Sequence, residues 1–119
     1  MTAQHIEPGG PLTPRPERTP TALRVALAGV APHRLPEMER QKDEAIALAA
    51  RIGSLGPITQ FLETWAIVIE IARTPSAAAR LRAAEYTAQS VGRDNPAWRD
   101  AMDEIHTLHA WARETLAGE

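Results

Sequence analysis

The chain contains no cysteine, which excludes disulfides and thiolate metal sites. It holds one lysine, Lys42, against twelve arginines. That skew has no folding reason, and it matches the Ala-, Arg-, Gly- and Pro-rich coding of a GC-rich bacterial genome. The aromatic residues are few: Phe61, Trp65, Tyr86, Trp98 and Trp111. Valine, isoleucine and threonine are sparse, so a large sheet is not expected. No apolar stretch reaches the ~18 residues of a membrane-spanning helix. No charged start leads into an apolar run, so no secretory signal is seen and a cytoplasmic location is expected. A basic surplus is also missing. The net charge is −2, whereas a general nucleic-acid binder normally carries excess positive charge.

What is present is alanine and helical periodicity. The 119 residues make one small domain, and the 44% hydrophobic content is enough for a core. Twenty-two residues are alanine, the best helix former and one that lets backbones pack closely. The chain divides near Pro20. Residues 1–20, "MTAQHIEPGGPLTPRPERTP", hold five of the ten prolines and little large apolar surface. Such a segment cannot offset its own ordering entropy, so it reads as a Pro-rich, disordered leader.

Residues 21–117 read as an all-α domain, a compact bundle of about five helices. The first runs from Thr21 to Val30, with Leu23, Ala26, Leu27 and Val30 on one face. A second spans Pro36 to Ile52, with Met38, Ala45, Leu48, Ala49 and Ile52 in a stripe and Gly53 closing it. The third starts at Pro57 and ends near Arg73. The fourth has Thr74 as its cap and Pro75 at its first position, and Gly92 closes it after Val91. The fifth is capped by Asn95, opens at Pro96 and reaches Ala117. Short connections favour antiparallel neighbours.

The third helix is apolar nearly all round. Ile58, Phe61, Leu62, Trp65, Val68, Ile69 and Ala72 share a broad face, while Glu63 and Glu70 form a narrow wet strip opposite. Ile67 and Ile71 lie on a separate flank. Two readings stand: a central helix with neighbours on both sides, or a patch at Ile67 and Ile71 for another chain. On the fifth helix Trp98, Ala101, Met102, Ile105, Leu108, His109, Ala112 and Leu116 form a stripe. Trp111 leaves it for the polar side, where a tryptophan either lies across a neighbouring loop or anchors a partner.

Signals for chemistry are weak. His106 and His109 have ligand-compatible spacing, with Asp103 as the nearest third ligand. His109 lies on the apolar stripe, however, and a core or boundary histidine is the better reading. No nucleophile elbow or Gly-rich phosphate loop is present. Arg73, Arg80 and Arg82 form a small basic cluster that suits phosphate, an acidic protein or simply solvent.

Three stretches, "TPTALRVALAGVAP", "EMERQKDEAIALAA" and "PITQFLETWAIVIEIA", resemble small actinobacterial helical proteins of the domain-of-unknown-function family numbered six-two-four-seven. The matching residues are Ala22, Leu23, Arg24, Ala26 and Leu27, then Leu62, Glu63 and Trp65. The resemblance covers about residues 19 to 85, and the stretch after Gly92 departs from it. It implies no established activity. It does imply an antitoxin-like association with small RelE-like toxins.

The expected function is therefore a non-enzymatic protein-interaction module, antitoxin-like or a regulatory adaptor. Its partner would be a small toxin or a second copy of the chain, met through Ile67, Ile71 and Trp111. No catalytic, cofactor or metal residue is expected, and neither a membrane nor nucleic acid is the expected partner. The alternatives are a small DNA-binding regulator using Arg73, Arg80 and Arg82, and a homo-oligomeric structural protein.

Overall fold

A computed structural model describes residues 11–118 of the 119. Among them there is no strand, and five α-helices form a compact bundle. Helix α1 is Pro20–Val30, α2 Leu35–Ile52, α3 Gly56–Arg73, α4 Pro75–Ser90 and α5 Pro96–Ala117. A 3₁₀ turn, Pro32–Arg34, joins α1 to α2. Every helix begins with a proline at its first or second position. There the missing N–H costs nothing and the fixed φ suits the helix.

The caps explain the boundaries. Thr19 accepts from the Ala22 amide at 3.2 Å, and Asn95 accepts from the Ala97 amide at 2.9 Å. Gly53 takes the left-handed conformation, φ 67°, where its amide and that of Ser54 both reach the Ala49 carbonyl. A side chain there would be strained. Two expected caps differ. Thr74 does not cap α4 with its side chain; its hydroxyl instead donates back to the Glu70 carbonyl at 3.0 Å. Helix α4 ends at Ser90, and Gly92 has no positive φ. Asn95→Ala should cost about 1 kcal/mol, because it orphans a first-turn amide. Thermal melting checks this, and an unchanged midpoint would show that the cap contributes nothing.

Helix α3 is the axis of the fold: α1, α2, α4 and α5 all pack against it. That is why it is apolar on more than one side. Trp65, Ile69 and Ile71 are buried on it, and Leu23, Leu27, Met38, Leu108 and Ala112 close the core from its neighbours. The close α4–α5 pairing is made through small residues, with Ala77 and Ala84 buried on α4 and Ala101 on α5.

Part of the leader is held rather than free. Residues 11–18 lie along the C-terminal end of α3, contrary to the disorder expected of them. The Leu12 amide donates to the Arg73 carbonyl at 2.7 Å, and Arg73 Nε donates to the Thr13 carbonyl at 2.9 Å. Arg15 forks onto both oxygens of Glu70 at 2.8 and 3.0 Å. Arg18 donates to the Leu116 carbonyl at 2.9 Å. The physical reason is polar rather than apolar: charge-assisted bonds replace the burial that composition could not supply. Residues 1–10 lie outside the described residues.

Candidate functional site

The residues singled out in the sequence do not come together. Ile67 and Ile71 are 5% and 1% exposed and belong to the core cluster. Their flank of α3 is covered by the fold's own neighbours, so they do not form an exposed patch for another chain. Glu70 is likewise not on a wet strip: it is 2% exposed and held by Arg15 and Arg73. Burial pushes its carboxyl pKa up, but the bonds from Arg15 and the charge of Arg73 outweigh this and leave it lowered.

The arginine cluster is dispersed in the same way. Arg73 is the last residue of α3, is buried, and bonds Glu70 at 3.1 and 3.2 Å. Arg80 bonds Glu104 of α5, with Nε to Oε2 at 3.2 Å, and this holds the Glu104 carboxyl below its ordinary range. Of these three arginines, Arg82 is the one that is exposed and makes no ion pair among the described residues. Trp111 does reach the surface, at 37% exposure. His106 is exposed, while His109 is half-buried with Nδ1 on the Ile105 carbonyl at 2.8 Å. A carbonyl oxygen can only accept, so that bond requires a proton on Nδ1. Among the described residues, no group of three His, Cys, Asp or Glu side chains is placed to hold a metal ion.

The surface has a feature that no motif announces. Helices α2 and α4 both pack on α3 but do not touch each other. The α3 residues Pro57, Phe61, Thr64, Val68 and Ala72 lie on one face of that helix and form the floor of a groove. One hollow, about 610 Å³, lies between the 3₁₀ turn, α3, α4 and His109. A second, about 340 Å³, lies between α2 and the first half of α3. Thr64 lines both, so the two adjoin along α3. The apolar lining is Leu48, Pro57 and Phe61 at one end and Val68, Ile71 and Leu81 at the other.

The α2 wall is a chain of polar contacts. Arg34 pairs with Glu37 at 2.7 Å, and its guanidinium carbon lies 5.0 Å from the centre of the Trp65 ring. Gln41 accepts from Trp65 Nε1 at 2.9 Å and donates to Glu37 at 3.5 Å, a long contact. Further along, Arg40 pairs with Glu44 at 2.7 Å. The α4 wall presents Arg82 and Glu85 at the rim. Helical periodicity had put Leu48 and Ile52 in the core, yet they are 36% and 55% exposed, because no helix covers that end of the α2–α3 hairpin. On its other side Ile46, Leu55 and Ile58 line an apolar hollow of about 360 Å³.

No helix among the described residues is long and apolar enough to cross a membrane. No family model matches the chain, and no curated protein or solved structure is similar to it.

Proposed function

We propose that this protein is a non-enzymatic interaction module that binds another protein in the groove between α2 and α4. The observation that carries the reading is the pair of hollows that adjoin at Thr64, with apolar residues of α3 beneath polar rims. Interfaces of this kind bury an apolar centre inside a polar rim. An adaptor or an antitoxin-like protein would work in this way. The DNA-binding alternative loses support, since Arg73 is buried and Arg80 is committed to Glu104.

A photo-crosslinking residue placed at Gln60 or Arg82, both at the groove, should give discrete higher-mass protein adducts in the producing cell. One placed at Ala28, exposed on α1, should give none. Adding Leu48→Glu to the first two should abolish the adducts while the helical circular dichroism is kept. Equal adducts from Ala28, or adducts that survive Leu48→Glu, would sink the reading.

A further inference from the structure

We infer that residues 11–18 form a strap with two native positions, closed over the C-terminal ends of α3 and α5 or swung open, and that it opens as a unit while the five helices stay folded. None of these residues is buried, and none belongs to the core cluster or packs against it. The Leu12 side chain, the one large apolar group of the segment, is 65% exposed. Opening therefore takes no strap side chain out of the core, and apolar exposure is what makes unfolding of a whole bundle costly.

The surface left behind is self-sufficient. Arg15 departs from Glu70, but Arg73 stays bonded to the same carboxylate at 3.1 and 3.2 Å. Neither residue becomes an unpaired buried charge, the outcome that makes breaking such a pair severe. The Arg73 and Leu116 carbonyls accept from Leu12 and Arg18 at 2.7 and 2.9 Å in the closed position. Both belong to the last turns of their helices, where water is an ordinary partner for a carbonyl.

Two opposed effects set the balance. The fork of Arg15 onto Glu70, at 2.8 and 3.0 Å, is charge-assisted and favours closure. Thr13 opposes it. Its Oγ1 is buried in the closed position and has no hydrogen-bond partner among the described residues. An opened strap returns that hydroxyl to water. Pro11, Pro14 and Pro16 restrict the backbone in either position, so closure gives up less freedom than in an unrestricted chain. A ligand that meets only one of the two positions would shift the balance towards it.

Hydrogen exchange of the full chain, followed by NMR, tests this. The Leu12 amide reports the strap, because its acceptor is the Arg73 carbonyl. The Ile69 amide, inside α3, reports the bundle. Relative to their unprotected rates, Leu12 should exchange at least about tenfold faster than Ile69, and with a weaker dependence on denaturant. Arg15→Ala should speed Leu12 exchange about tenfold, and Thr13→Val, which keeps the shape but not the hydroxyl, should slow it about fivefold. Neither substitution alters the unprotected rate at Leu12, which that residue and the one before it set. A Leu12 amide that exchanges as a free peptide overturns the closed position. One that shares the rate and denaturant dependence of Ile69 overturns the separate opening. Exchange indifferent to Arg15→Ala, or not slowed by Thr13→Val, overturns the balance assigned to those two residues.

Discussion

Trp65→Ala is expected to destabilise the protein by about 3–5 kcal/mol, the range for removing a large buried aromatic. The side chain is 1% exposed at the centre of α3, and three losses coincide there. The indole no longer fills the space between α3 and its neighbours. Gln41 loses the Nε1–H that it accepts at 2.9 Å. Arg34 loses the ring face beneath its guanidinium. The second and third losses fall on the α2 wall of the groove, so the variant should also loosen that wall. Denaturant unfolding measures the effect. A cost below about 1 kcal/mol would mean that the ring is not part of the core. Trp65→Phe keeps most of the packing and should recover much of the stability, but not the bond to Gln41.

A cost of similar size, about 3–5 kcal/mol, is expected for Glu70→Ala, by a different route. Glu70 is the shared anion of Arg15 and Arg73, and Arg73 is itself buried. Taking the carboxylate away leaves the buried Arg73 guanidinium without the Glu70 charge and removes the fork that Arg15 makes onto α3. The pH dependence follows from the lowered carboxyl pKa. A folded value below the unfolded one means that the contribution is complete above the unfolded range, about pH 4.3 for a free glutamate. It is lost as the pH falls through the folded value. The gap in melting temperature between the parent and Glu70→Ala should therefore be constant near neutrality and narrow below about pH 4. A gap that stays constant under acid would show that the charge of Glu70 is not what stabilises this corner.

Much of the helical framework was legible because it depends on local chemistry. Proline-marked starts, the asparagine cap at Asn95 and the left-handed Gly53 act within a few residues, so sequence spacing reports them directly. Burial was legible only where one face of a helix meets one neighbour. Leu23, Leu27, Met38 and Leu108 follow that rule. Ile67 and Ile71 do not, because the number of neighbours around α3 is a property of the assembled bundle. The groove was hidden for the converse reason. Leu48, Phe61 and Val68 carry the same periodic signal as core residues, and nothing in the α2 sequence says that α4 stops short of it. The attachment of residues 11–18 was hidden because its partners lie far away in the chain. Composition sees the prolines of that segment but not the anion waiting at Glu70.

Those distances also bear on the order in which the fold is completed. Arg15 reaches a partner 55 residues away, and Arg18 one 98 residues away. Closing such loops carries an entropy penalty before any contact rewards it, growing by only about 0.6 kcal/mol for each doubling of length. A chain made from its N-terminus exposes the 11–18 segment before α3 exists, and well before Leu116 at the end of α5 is joined. The segment therefore has no docking surface until the helices it crosses are in place. It acts as a late fastener that closes over an assembled bundle, not as a seed from which the bundle grows.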